Sequence, residues 1–283
     1  MDRRVPTRLA RSVGACLPVL ALLIATGMGN ASAAPVPVNA RAAALAALKH
    51  LMIGEHGTDH AASGQTVLGG FGPKKVTSGN WSGYADDSGR SYTTVTAQWE
   101  EPAVTCPPQG DTMAAFWVGI DGYSSSTVEQ DGTLIESYEG TVYYYDWWEI
   151  YPETDVQVVD NVSPGDHITS TVTRSGNSYT LSVTDSTHTA DSFSTTQTYA
   201  GAADSSAEWI AEAPSGSSGV EPLTDFGTVN FSGASTTEGS TTGSISSFTD
   251  DEITMITSSG ATEATPSSLT GSGSAFSVTW DRS

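Results

Sequence analysis

Beyond residue 77 the chain alternates short runs of Val, Ile, Tyr, Trp and Thr with breaks of Gly, Asn, Asp or Pro. Within many runs apolar and polar side chains trade places at every second position, the pattern of half-buried strands, and helical spacing is scarce. The pattern predicts strands over 80–85, 93–99, 114–120, 142–151, 156–160, 167–174, 179–185, 193–199, 207–212, 227–231, 252–256 and 275–280. Many short strands at regular spacing with turn residues between them predict an all-β fold, an antiparallel β-sandwich. The Ser/Thr/Gly-rich stretches 215–219 and 232–247 read as long surface loops within it.

The first 76 residues follow other patterns. Arg3, Arg4, Arg8 and Arg11 precede an apolar run over 13–24, and Ala31-Ser32-Ala33 supplies small residues for cleavage, so 1–33 reads as a signal peptide. The run is too short and too quickly followed by Gly27 and Gly29 for a permanent membrane span. Residues 34–76, with an Ala-rich helical stretch at 40–51, read as a short helical or disordered pro-segment, and 77–283 as one β-sandwich domain.

Charge divides the chain at the same place. From 77 onward three basic residues, Arg90, Arg174 and Arg282, stand against 29 acids, a formal charge of −26. Such a surface repels nucleic acid and anionic membranes, and protonating its carboxylates would relieve self-repulsion. The segment 34–76 is cationic and carries three histidines, which suggests that it docks on the acidic domain at neutral pH, inhibits it, and leaves in acid. A disordered linker is the alternative. Cys106 is the single cysteine after the signal region, so no intramolecular disulfide staples the domain.

Candidate chemistry concentrates in two segments, Trp117 to Thr133 and Tyr143 to Glu153, which set carboxylates and an amide among aromatics. Alternation puts Trp117, Gly119 and Asp121 on one face, and likewise Trp147, Glu149 and Tyr151. A sheet aromatic on both faces has one face on the core and the other covered by ligand or loops. Several hydrolytic machines lack their residues: no G-x-S-x-G elbow, no H-E-x-x-H, two histidines beyond 77, and one Asp-Ser-Gly turn where an aspartic site would use two. What remains is a carboxylate that activates water beside an amide that steadies an oxyanion. Residue pattern alone leaves Glu129 or Gln130 inward, and Glu208 and Glu212 share a parity.

Taken in order, Asn80-Trp81-Ser82-Gly83-Tyr84, Trp117-Val118-Gly119-Ile120-Asp121-Gly122, Glu129-Gln130, Trp147-Trp148-Glu149-Ile150-Tyr151-Pro152-Glu153 and Ala207-Glu208-Trp209-Ile210-Ala211-Glu212 resemble the glutamic peptidases, or eqolisins. The resemblance runs from about Ser78 to the C-terminus. It implies two large bent sheets in a concanavalin- or jelly-roll-like sandwich with an open cleft, and an acid-active endopeptidase acting on polypeptides without metal; the signal peptide adds secretion, and the chain is expected to be monomeric and to need no cofactor. Carried over by position, the catalytic pair is Gln130 and Glu212, with Trp117, Asp121, Trp147, Glu149 and Tyr151 lining or supporting the groove. Tyr145 occupies the place where several members carry an aspartate, and Asp146, one step on, points to the opposite face. The competing expectation is a carbohydrate-binding or glycoside-hydrolysing sandwich using two carboxylates such as Glu149 and Glu212. Asn80, Asn161 and Asn230 fit the glycosylation acceptor pattern.

Overall fold

The computed structural model describes residues 48, 53, 73–87, 91–105, 110–216 and 219–283. The predicted signal peptide and the helical stretch at 40–51, apart from Leu48, lie outside the described residues, as does Cys106. The strands are β1 (Lys74–Ser78), β2 (Trp81–Asp86), β3 (Tyr92–Glu100), β4 (Thr112–Asp121), β5 (Val128–Tyr138), β6 (Thr141–Tyr151), β7 (Thr154–Asn161), β8 (His167–Ser175) and β9 (Ser178–Asp185). They continue with β10 (Phe193–Thr198), β11 (Ala207–Glu212), β12 (Ser215–Gly216), β13 (Gly219–Val220), β14 (Thr228–Glu238), β15 (Thr241–Ser244), β16 (Asp250–Ile256), β17 (Thr262–Pro266) and β18 (Phe276–Trp280).

Hydrogen bonds order them β10-β9-β8-β3-β14-β18-β17-β16-β2-β11-β4-β5-β6-β7. The long strand β14 is the corner of this path. Its first half pairs with β18 and its second half with β3, and the register breaks between Ser232 and Ser235 around Gly233, whose φ is 61°. A bulge at a left-handed glycine lets one strand leave one sheet and enter another. All named pairings are antiparallel except β1 with β16, which run parallel from Lys74↔Asp251 to Ser78↔Met255.

Each strand of the β2-β11-β4-β5-β6 sheet sorts its side chains by parity into two apolar layers. Phe116, Val118, Trp209 and Ile135 face inward onto Val95, Val172 and Leu181 of the opposing sheet, forming the sandwich core. Trp81, Trp117, Leu134, Tyr145, Trp147 and Ile210 form a second cluster on the other face. That face is covered in part by Leu48 and Ile53, buried to 5% and 0% exposure, from the expected pro-segment. The doubly aromatic sheet therefore has a cover, and the cover is a piece of the same chain.

Several expectations require correction: the stretch 215–219, read as a loop, carries β12 and the start of its partner β13, and β1 and β17 lie outside the predicted strands. Residues 232–247, read as a loop, contain the end of β14 and all of β15, because alternating Ser and Thr bury every second side chain along β14. Residues 128–138, absent from the predicted strands, form β5, the partner of both β4 and β6 over its length. Asp131-Gly132 reads as a turn signal, yet a Cβ on Gly132 would stand 2.0 Å from the Phe116 carbonyl oxygen. The glycine is there for the close approach of two backbones, the second meaning of glycine within a strand.

Candidate active site

Register builds the site. Across the sheet, Glu208, Gly119, Gln130 and Glu149 fall in one row, and Trp81, Glu212, Ala115, Leu134 and Tyr145 in another, four residues along β4. All share the face that carries Trp117 and Trp147, so the structure brings Gln130, Glu149, Glu212, Trp117 and Trp147 to one surface. In a flat sheet the offset between Gln130 and Glu212 is about 13 Å along the strands and about 10 Å across them.

Trp117 spans much of that interval. Its Nε1 donates to Glu212 Oε2 at 2.8 Å, while its benzo edge lies over Gly119, where a Cβ would be 2.9 Å from Cζ3 and 3.3 Å from Gln130 Cβ. Any side chain at 119 would displace the indole. Trp81 fixes the ring from the side in an edge-to-face contact, centroids 4.9 Å apart. Asn80 Nδ2 donates to Glu212 Oε1 at 3.2 Å, and Ser78 Oγ donates to Asn80 Oδ1 at 3.2 Å. Each oxygen of the fully buried Glu212 thus accepts an N–H. Asn80, 1% exposed and so engaged, is unavailable for glycosylation in the fold, whereas Asn230 is exposed.

Gln130 Nε2 donates to Glu149 Oε2 at 2.8 Å and to the main-chain carbonyl of Ile53. Both partners are acceptors, which fixes the amide with its NH2 toward them. The peptide carbonyl of the covering segment therefore rests on the Gln130 amide. Trp147 is buried opposite Gly132, and Tyr151 sits at the end of β6 opposite Val128, half-buried.

Asp121 departs from the face that alternation assigns it. With φ at 70° it leaves the strand conformation, and its carboxylate accepts the N–H groups of Ala203, Asp204 and Ser205 at 2.7–2.8 Å and the Thr127 hydroxyl at 3.2 Å. It anchors the loop that leads into β11. It also meets Glu129, which, one residue before Gln130, points to the opposite side of β5. Burial, and then the charges of Asp121 and Asp204, push the Glu129 carboxyl up to about 10. Arg174 pairs with Asp204 at 2.8 Å nearby. Asp146, in register with Thr133, likewise lies away from the groove face. Glu208 shares the face of Gln130, and burial followed by the Asp121 charge raises its carboxyl well above the ordinary range.

Sequence reasoning did not assign roles to Asn80, Ser78 and Ile53. For Asn80 the signal was its place beside Trp81 in a quoted motif. Ile53 closes the apolar run Leu51-Met52-Ile53 at the end of the Ala-rich stretch, and nothing in that run points to the groove.

An antiparallel sandwich with a carboxylate and a carboxamide on one aromatic sheet face defines a class of hydrolase-like β-sandwiches. The family model of that class, the Peptidase A4 family, matches residues 79–280, and the chain belongs to this family of glutamic peptidases. It is similar to Aspergillopepsin-2 of Aspergillus niger, 30% identical over an alignment 190 residues long, with 58% of this chain and 66%, just under two thirds, of that protein covered. Among solved structures it resembles scytalido-glutamic peptidase bound to a transition state analog inhibitor, with TM-score 0.61, 24% identity, and 72% and 98% of the two chains covered. It also resembles SCP-B, a member of the eqolisin family, in complex with the tripeptide Ala-Ile-His, with TM-score 0.59, 23% identity and the same coverage. These two likenesses bear on the fold. The carbohydrate reading finds no support in any of them.

Proposed function

We propose that the chain is a secreted, acid-active endopeptidase in which Glu212 activates water and Gln130 stabilises the oxyanion. In this reading a water between the two side chains loses a proton to Glu212 as its oxygen attacks the scissile carbonyl. The carbonyl oxygen takes up negative charge and receives the N–H of Gln130, and Glu212 then returns the proton to the departing amine. Trp117 and Asn80 hold the carboxylate, and Glu149 holds the amide. Burial raises the Glu208 carboxyl well above the ordinary carboxylate range.

The observation that carries this reading is the Ile53 carbonyl on Gln130 Nε2. A peptide carbonyl, the group that becomes the oxyanion, already occupies the donor assigned to it. The tripeptide bound to the eqolisin SCP-B is in keeping with a polypeptide substrate.

The same contact supports residues 34–76 as an inhibitory pro-segment. Ile53 and Leu48 plug the aromatic face, and Lys74 and Lys75 pair with Asp251 and Glu252 at 3.3 and 2.7 Å. A buried aliphatic side chain contributes roughly 1.5–3 kcal/mol, an exposed ion pair about 0–1 kcal/mol. The apolar plug outweighs the lysine strap. A cut at 76/77 would divide β1, removing Lys74, Lys75 and Val76 from β16.

Purified protein incubated with a denatured protein substrate at acid pH tests the dyad. Gln130→Ala should lower kcat about 100- to 1000-fold, the usual effect of losing one oxyanion donor, and Glu212→Gln should lower it at least as far. Peptide cleavage at the wild-type rate by either variant, with the fold intact by circular dichroism, would overturn the assignment.

A further inference from the structure

Away from the groove, the chain brings two carboxylates and an imidazole together at one end of the β8–β9 hairpin. Asp166 lies in the loop before β8, Asp185 ends β9, and His188 caps the short 3-10 turn Thr189–Asp191 that leads to β10. His188 Nδ1 is 2.8 Å from Asp166 Oδ1 and 3.7 Å from Asp185 Oδ2. One donor atom from each of the three residues lies within 4.8 Å of the other two.

Each carboxylate is already aimed by the backbone. Asp166 Oδ2 accepts the Ser163 N–H at 2.7 Å, and Asp185 Oδ1 accepts the N–H groups of Thr187 and His188 at 2.7 and 3.0 Å. That leaves Asp166 Oδ1 and Asp185 Oδ2 facing the imidazole. Asp185 is 1% exposed and its Oδ2 has no hydrogen-bond partner, a state that buried polar atoms rarely keep without a reason. His188, with 55% of its side chain exposed, leaves the cluster open to solvent.

The spacing suits a small divalent ion. Four ligands at 2.0–2.2 Å in a tetrahedron stand about 3.3 Å apart, and the two separations seen here fall on either side of that value. We propose that Asp166, Asp185 and His188 form a surface site for a divalent transition-metal ion of the zinc type, with water as the fourth ligand. One imidazole and two carboxylates form a borderline donor set; calcium would want six or more oxygens. The backbone N–H groups on the far carboxylate oxygens supply the outer-shell support that metal ligands generally need. The ion would tie the loop before β8, the end of β9 and the turn into β10, a structural role independent of how the groove is read.

Full-length protein, stripped with a chelator and desalted, is titrated with ZnCl2 by calorimetry at neutral pH, with CaCl2 as a parallel arm. Histidines and cysteine elsewhere make the comparison with His188→Ala the decisive one. That variant changes an exposed side chain and should fold. The wild type should bind one more equivalent of zinc than His188→Ala and gain in melting temperature where the variant does not. Asp185→Asn should weaken the same equivalent at least tenfold. Equal zinc stoichiometry and affinity in wild type and His188→Ala, or a wild-type response to calcium alone, would overturn the proposal.

Discussion

At the scale of single residues, the indole of Trp117 connects the two halves of the proposed dyad. Its Nε1–H orients one oxygen of Glu212, and its benzo edge occupies the space that Gly119 leaves beside Gln130. Its position joined it to the groove in the sequence; its hydrogen bond did not show there, because strand parity gives a face and no partner. The same limit applies to Asp121, whose φ of 70° takes it off the face that alternation alone gave it. Trp117→Phe retains most of the apolar contact and removes one hydrogen bond to a carboxylate, worth about 1.5–3 kcal/mol. The variant should therefore lose about 10- to 100-fold in kcat with little change in KM, read from steady-state rates on a denatured protein at acid pH. An unchanged kcat would show that Glu212 is held well enough without the indole.

At the scale of elements, legibility followed side-chain periodicity. β11 was predicted at 207–212 and is found as Ala207–Glu212, since Ala207, Trp209 and Ala211 alternate cleanly with Glu208, Ile210 and Glu212. β5 was missed although it carries Gln130. Its buried Glu129, Asp131 and Glu136 look like solvated residues in a sequence, and Gly132 looks like a turn until Phe116 is seen against it. The resemblance to the glutamic peptidases pointed to the proposed site where periodicity could not. What the chain pattern could not supply was the cover of the groove, which depends on contacts such as that of Ile53 with Gln130, 77 positions away. The cover yields a prediction that separates packing from charge. In the full-length precursor, Ile53→Asp should raise the initial cleavage rate about 10- to 100-fold, matching the loss of roughly 1.5–3 kcal/mol of buried side chain. Lys74→Ala with Lys75→Ala should raise it less than about 5-fold, in line with exposed ion pairs. The reverse order, measured before any self-trimming, would make charge the principal latch.

At the scale of the whole molecule, the acids do more than set the net charge. Many of the buried carboxyls are raised above their ordinary range. Burial is the first cause for Glu101 at about 7, Glu136 at about 8, Asp86 at about 9 and Glu129 at about 10. Neighbouring acids add to burial at Asp86, through Asp250, Glu238 and Asp251, and at Glu129, through Asp121 and Asp204. In the unfolded chain such groups release their protons near pH 4. Below that, both states hold the protons and folding incurs no electrostatic penalty. Between about pH 4 and the raised values the unfolded state binds fewer protons than the folded one, so stability falls as pH rises, by about 1.4 kcal/mol per pH unit for each group. A fold with these shifts should be firmest in acid, the medium in which the proposed carboxyl–carboxamide pair would work without imidazole. Urea unfolding of the protein at pH 4, 5, 6 and 7 should give a midpoint that declines with pH. Glu129→Gln, which keeps the side-chain shape and removes one titrating group, should flatten the decline by about 1.4 kcal/mol per pH unit between pH 5 and 7. A midpoint that rose toward neutral pH would mean that the buried acids are ionised in the fold and that the proposed acid adaptation is wrong.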